Sequence, residues 1–271
     1  MRNIIFQYYL TTDKESELPE AVKVSSGSFK QYAIKHNADY LFTHEPYTVA
    51  GKSKVPYYRF FEILRMIYDP YFEDYDNVLY VDTDIFPHYA APNIFDVPYE
   101  EVLGIPEQHF GQSAPGWWSP WKPDWEDYKI KFTDWGAPLV KMKTRYKGKN
   151  KEEWAKIRIL NTGVFMMTKD ARLKARKLWD NWLGWPYTPK GQREPHYSLL
   201  NDQPYINCML AKYDFKVLEA HNYWNIPPAW WDFEEEVPID AHFYHFIGLS
   251  KKDLVRWHSK LGMPEMRTPL V

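Results

Sequence analysis

A chain of 271 residues with 45% hydrophobic side chains can bury one sizeable core, which excludes a short peptide-like or disordered class. Its net charge of −2 argues against nucleic acid as the main partner, because such proteins carry a basic surplus. A single cysteine, Cys208, excludes an intrachain disulfide and fits a reducing compartment.

Asn3–Leu10 (NIIFQYYL) reads as a first strand by its apolar and aromatic run. The run is too short for a secretory signal. No stretch of the chain approaches the roughly 20 apolar residues of a membrane span, so a soluble cytoplasmic protein is expected. Pro19–Asn37 predicts an interrupted helix, weakened at its middle by Gly27. Asp39–Thr43 predicts a second strand. Tyr57–Tyr68 (YYRFFEILRMIY) has helical spacing, with Phe60, Ile63, Leu64 and Ile67 on one face, and stops at Asp69-Pro70. The apolar run Val78–Val81 then predicts a third strand. This alternation of strand and helix implies a parallel, doubly wound α/β sheet.

Val102–Ile105 is strand-like. From Pro106 to about Lys156 the character changes: Trp117, Trp118, Trp121, Trp125, Trp135 and Trp154 fall among many Pro, Gly and Lys, as in an irregular insertion. The whole chain is aromatic, with 13 Trp, 21 Tyr and 15 Phe. Trp and Tyr offer flat apolar faces with a hydrogen-bonding edge, which suits the surface of a sugar ring and equally an aromatic core. The basic run Lys141–Lys151 reads as a solvated loop, with contact to an anionic acceptor or a membrane surface as the alternative. Regular structure resumes with a strand in Ile157–Thr168, helices from Asp170 to Trp182 and Leu199 to Lys212, and strand-like Phe215–Leu218 and Ala241–Phe246. No internal repeat is evident.

The third strand ends in Asp82-Thr83-Asp84. In a parallel sheet the ligand crevice lies at the carboxyl ends of the strands, where these aspartates fall. Two carboxylates this close repel unless a cation sits between them, and oxygen ligands suit Mg²⁺ or Mn²⁺. Asp-X-Asp also occurs in ordinary turns. A phosphatase of the haloacid-dehalogenase type would place Thr or Val where Phe86 stands and needs a downstream acidic pair that is not found. Near the C-terminus, His245-X-X-Gly248-X-X-Lys251 is more specific. An imidazole can complete a metal shell, a glycine lets backbone pass close to a phosphate, and a lysine offers a compact charge to a diphosphate. Taken singly, each could be a core histidine, a turn glycine and a surface lysine.

Together these features resemble the family 8 retaining glycosyltransferases, the group of glycogenin and the bacterial lipopolysaccharide galactosyltransferases. The resemblance is carried by Asp82-Thr83-Asp84 after NVLYV, the His245/Gly248/Lys251 pattern, LNTGVFMMT (Leu160–Thr168), LNDQPYINCML (Leu200–Leu210) and YYRFFEIL. It implies a single GT-A domain over residues 1–271: a Rossmann-like, mostly parallel central sheet with helices on both faces and the Trp-rich insertion as acceptor region. It also implies residue roles. Asp84 and His245 ligate Mn²⁺ or Mg²⁺, and Asp82 shares the metal and reaches the ribose, with Thr83 between them. Lys251 and the Gly248 backbone hold the diphosphate of a nucleotide sugar, a UDP-sugar above all. Gln7 and Tyr8 line the base and ribose pocket, where strand packing is the plain alternative. Arg59 touches phosphates or donor sugar, or is a surface helix arginine. Asn161 contacts the sugars. Asp202 and Gln203 flank the reacting carbon, or form an N-cap with its neighbour. Three departures stand out: the insertion, Lys252-Asp253 after Lys251, and an Arg59 farther from the aspartates than the pattern has it, with Arg65 closer. A sugar-binding protein without catalysis and a sugar nucleotidyltransferase remain as other readings.

Overall fold

The structure, a computed structural model, describes residues 1–11, 17–47, 56–106, 160–179, 202–226, 241–246 and 251–262. Eight strands occur among them: β1 (Asn3–Tyr8), β2 (Asp39–Thr43), β3 (Asn77–Val81), β4 (Ile85–Pro87), β5 (Val102–Pro106), β6 (Leu160–Thr168), β7 (Val217–Glu219) and β8 (Phe243–His245). The helices are α1 (Glu20–Lys35), α2 (Arg65–Tyr68), α3 (Lys169–Leu178), α4 (Asp202–Lys212) and α5 (Lys251–Leu261). Six strands form one sheet in the order β2-β1-β3-β6-β5-β7, and β4 and β8 form a second, two-stranded sheet. β1 runs parallel to β2 and β3, and β5 parallel to β7, while β6 is antiparallel to both its neighbours. The mostly parallel GT-A architecture expected from the sequence is thus the one observed, with β6 as the one reversed strand of the large sheet.

Side chains alternate across this sheet with the period of two that strands impose. Ile4 and Phe6 of β1, Val78 and Tyr80 of β3, and Phe165 and Met167 of β6 pack on one face with Met66, Ile67, Ala171, Ala175, Tyr205 and Met209 from α2, α3 and α4. Ile5, Leu79, Val81, Val164 and Met166 pack on the other with Phe29, Tyr32 and Ala33 of α1. A third cluster lies beneath the small sheet, where Phe86, Tyr244 and Phe246 meet Val24 of α1 and Leu254 of α5. Burial on both faces explains why β3 reads as an unbroken apolar run.

Two expectations need correction. Helix α1 runs unbroken through Gly27. A mid-helix glycine costs roughly 1 kcal/mol, whereas each of the buried Val24 and Phe29 side chains contributes roughly 1.5–3 kcal/mol, so packing overrides propensity. Pro56–Leu64 is a 3₁₀ segment, and only Arg65–Tyr68 is α-helical. Phe60 is 48% exposed, and Phe61 is buried in its place. In a 3₁₀ turn residues three apart eclipse, which sets Phe61 and Leu64 on one face. The stop at Asp69-Pro70 holds, because Asp69 caps the next turn by accepting from the Tyr71 N–H.

One buried cation was not foreseen. Arg172 of α3 donates to the backbone oxygens of Met167, Phe72 and Tyr75 at 3.0, 2.9 and 2.6 Å. Burial pulls its guanidinium down to about 10. The carbonyls of Phe72 and Tyr75 tie α3 to the segment that feeds β3, and so to the strand that carries the aspartates, while that of Met167 ties it to β6. The Trp-rich insertion beyond Pro106 and the basic run Lys141–Lys151 lie outside the described residues.

Candidate metal and donor site

Asp82 follows the last residue of β3. Its backbone N–H donates to Gly163 O at 2.9 Å, and its own carbonyl accepts from Ile85 N–H at 3.3 Å and from Gln7 Nε2 at 3.1 Å. The chain turns at Thr83 and Asp84 and enters β4. Ile85, the first residue of β4, is the direct partner of His245 on β8. Phe246 N–H donates to Asp84 O at 2.8 Å. Residues 82, 84 and 245 therefore converge through one antiparallel pairing, which a sequence separation of this size hides.

His245 Nε2 lies 3.2 Å from Asp84 Oδ1 and 3.8 Å from Asp82 Oδ2. One ligand atom from each of the three residues lies within 4.8 Å of the other two. Tyr80 donates its hydroxyl to Asp82 Oδ1 at 2.5 Å, which leaves Oδ2 turned toward the histidine. Burial and then the charge of Asp82 hold the Tyr80 phenol well above its usual range, so it stays a donor. Tyr8 stacks on Tyr80 with ring centroids 5.5 Å apart and donates to Phe60 O at 2.9 Å.

Strand β6 closes the site from the side. Between Gly104 and Ile105 of β5 its register jumps from Phe165 to Asn161, so Thr162-Gly163-Val164 bulge toward Asp82. A Cβ on Gly163 would stand 2.6 Å from His245 Cε1, 2.8 Å from Asn161 Oδ1 and 3.0 Å from Asp82 Oδ2. Only glycine lets this backbone come so near. Asn161 Oδ1 accepts from Gly163 N–H at 2.9 Å and from Asn225 Nδ2 at 2.9 Å, and Asn225 Oδ1 lies 2.8 Å from His245 Nδ1.

Helix α4 is fastened to the same strand. Asn207 donates to Leu160 O at 2.9 Å and accepts from Leu160 N–H at 2.8 Å, as a neighbouring strand would. Gln203 Oε1 accepts from Thr162 N–H at 3.4 Å. Asp202 opens the helix and is only 8% exposed. Burial first, and then the negative charge of Asp82, push its carboxyl up to about 7.

The structure thus gathers Asp82, Asp84, His245, Asn161, Asp202, Gln203 and Tyr8 around the end of β3. Gln7 is adjacent but fully buried on the α1 side. Its amide donates to Ser25 Oγ at 3.0 Å and accepts from Tyr40 at 2.8 Å besides holding Asp82. Thr83 sits half-buried in the turn. Arg59 is half-buried in the 3₁₀ segment, while Arg65 pairs with Asp69 at 2.7 Å and donates to Thr43 Oγ1 at 3.3 Å. Lys251 begins α5, and its side chain, like all of Gly248, lies outside the described residues. The sequence reading passed over Asn225, Tyr80 and Gly163. Asn225 stands in NYWNIPP, which carries no motif, and Tyr80 reads as one more aromatic of a strand. Gly163 alone left a trace, inside the LNTGVF segment.

No family model and no curated protein matches the chain. Solved structures do. A glycosyltransferase involved in the glycosylation of the major capsid of PBCV-1 is similar at 14% identity over 96% of this chain and 100% of that one, with a TM-score of 0.53. The galactosyltransferase LgtC, in complex with donor and acceptor sugar analogues, follows at 11% identity over 96% of each chain and a TM-score of 0.46. Mouse xyloside xylosyltransferase 1 stands at 12% identity over 91% of this chain and 98% of that one, with a TM-score of 0.45. At these identities the likeness is one of fold, and the first of the three establishes it. No helix among the described residues is long and apolar enough to cross a membrane.

Proposed function

We propose that the chain is a divalent-metal-dependent glycosyltransferase of the family 8 type. It would move a sugar from a nucleotide-diphosphate donor, a UDP-sugar, to a hydroxyl of a glycan or other acceptor, with retention at the anomeric carbon. The observation that carries this reading is the convergence of Asp82, Asp84 and His245 at the carboxyl end of β3, on a fold shared with a glycosyltransferase. Two carboxylates and an imidazole are a fitting donor set for Mn²⁺ or Mg²⁺. The cradle they form is kept open by a glycine. Such an ion, held by these three residues, supplies positive charge against the charge that develops on a leaving diphosphate.

The remaining roles fall to the chain's own groups. Lys251 and the Gly248 backbone would hold the diphosphate, and Lys251 would offset its developing charge. Gln7 fixes the Asp82 carbonyl from below, and Tyr8 borders the pocket for base and ribose. Arg59 would reach phosphates or donor sugar. Asn161 has spent both lone pairs of its oxygen on Gly163 and Asn225, so it meets a sugar through its Nδ2 donor. Asp202 and Gln203 would flank the reacting carbon. The route favoured is the one in which acceptor and leaving group share one face of an oxocarbenium-like ion, with Asp202 as the nucleophile of the alternative, covalent route. The 106–156 insertion is assigned to the acceptor, and the domain to the whole of 1–271.

A panel of nucleotide sugars, incubated with purified protein and Mn²⁺, tests the reading. Release of nucleoside diphosphate from one donor, abolished by excess EDTA, is the expected result. Undiminished turnover in EDTA would overturn the metal assignment. Binding without any release would point to a sugar-binding protein, and pyrophosphate exchange to a nucleotidyltransferase.

A further inference from the structure

We infer that Asn225 is a positioning residue that holds the imidazole of His245 in its Nδ1–H tautomer, with the Nε2 lone pair aimed between the two aspartates. The inference rests on the metal reading above for its purpose, but not for its geometry.

The polarity of a backbone amide is not adjustable. Gly163 N–H donates to one end of the Asn161 side chain at 2.9 Å, so that end is the oxygen. An oxygen there can only accept. The end of Asn225 that lies 2.9 Å from it must therefore be the amide nitrogen, donating. Asn225 consequently turns its oxygen to His245, 2.8 Å from Nδ1. A carbonyl oxygen also only accepts, so Nδ1 carries the hydrogen. Three side chains are thus set in order by one peptide N–H at the β6 bulge.

These groups have little freedom to rearrange. Asn161, Asn225 and His245 are 9%, 5% and 4% exposed. Asn225 is also tied to the strand of the histidine. Its neighbour Ile226 donates to Phe243 O at 2.9 Å and accepts from His245 N–H at 2.8 Å. The amide and the imidazole therefore move as one unit.

With Nδ1 protonated, a neutral imidazole presents its lone pair at Nε2. That lone pair faces Asp84 Oδ1 at 3.2 Å and Asp82 Oδ2 at 3.8 Å. Electron-rich atoms so placed repel unless positive charge, a metal ion or the second proton of an imidazolium, stands between them. The other neutral tautomer would have let Nε2–H bond to Asp84 and satisfied the site without one. By favouring Nδ1–H, Asn225 disfavours that closed arrangement and keeps Nε2 available to a divalent ion. Ligating histidines are commonly oriented through their second nitrogen, and loss of the orienting group lowers metal affinity by roughly 10–100-fold.

The test uses the full chain and two readouts that need no substrate. The tautomer of His245 is read from the ¹⁵N shifts of histidine-labelled, metal-free protein at alkaline pH. Mn²⁺ affinity is read from the electron paramagnetic resonance signal of the free ion. The wild type should show Nδ1–H, and Asn225→Leu, similar in shape but unable to accept, should switch to Nε2–H and bind Mn²⁺ about 10–100-fold more weakly. An Nε2–H tautomer in the wild type overturns the inference without any variant having to fold. Asn225→Leu with an unchanged tautomer and Mn²⁺ affinity within twofold of the wild type overturns it as well. A wild type that shows Nδ1–H but binds no Mn²⁺ upholds the relay and overturns the metal reading instead.

Discussion

Asp202 shows how a single side chain can report on the charge around it. Its carboxyl is buried at the start of α4, and the nearby Asp82 adds repulsion, so its proton is held to about pH 7 against an ordinary value of 3.8. A folded-state pKa above the unfolded one means that the folded form binds the proton more tightly. The stabilising contribution is then complete below about pH 4 and is lost as pH rises through about 7. At about 1.4 kcal/mol per pH unit the span amounts to roughly 4 kcal/mol. Asp202→Asn keeps the size and removes the titration. Denaturant unfolding of the metal-free protein at pH 5 and pH 8 should therefore show the variant gaining a few kcal/mol on the wild type as pH rises. A difference that stays flat across this range would place Asp202 in water rather than beside Asp82. A divalent cation at Asp82 removes the repulsion and should shrink the effect. Gln7 teaches a related lesson at the same scale. An amide that bonds Ser25, Tyr40 and the Asp82 carbonyl serves the site by holding its backbone.

Among the elements, α1 and β6 carry opposite burdens of glycine. Gly163 cannot be replaced, because its missing Cβ is the space taken by His245, Asn161 and Asp82. Gly27 has nothing within 4 Å of where a Cβ would stand, and it lies inside a helix. Gly27→Ala should therefore raise stability by about 0.5–1 kcal/mol, chiefly through the unfolded chain, and thermal melting measures it. A lowered melting temperature would mean that a neighbour packs against the helix at Gly27. The contrast also marks what could be read in advance. Strands β1, β3 and β5 were legible because burial on both faces makes an apolar run, half-buried β2 showed through its short run Tyr40-Leu41-Phe42, and β3 with its aspartates announced the site. The reversal of β6 was not legible, since strand direction is set by the long connection before it. Nor was the β4–β8 pairing, for three-residue strands leave no periodicity. The α-helical reading of Tyr57–Leu64 failed because the apolar spacing fits two kinds of helix at that length. Asp84 and His245 were found by residue type and spacing, whereas Asn225 acts through another side chain and carries no pattern of its own.

For the whole molecule, the described ends on either side of the Trp-rich stretch are close together. Pro106, the last residue of β5, is the direct partner of Leu160, the first of β6. The chain therefore departs and returns at neighbouring points of one antiparallel pair, beside Asn161 and the bulge that meets Asp82. The described members of the three apolar clusters that hold the fold all lie outside this excursion. Antiparallel strands so joined can be closed by a turn of a few residues, and the entropy of a loop changes only slowly with its length. Replacing residues 107–159 by a short Gly-containing turn should thus leave a folded domain that still binds Mn²⁺. Under the proposed function it should still hydrolyse the donor slowly while losing transfer to the acceptor. The milder pair Trp117→Ala with Trp118→Ala removes two flat faces suited to sugar rings and should raise the acceptor KM while sparing donor hydrolysis. Parallel assays of nucleoside diphosphate release with and without acceptor separate the outcomes. Equal loss of hydrolysis and transfer in the double variant would make the tryptophans part of the core and return the acceptor to some other face of the protein.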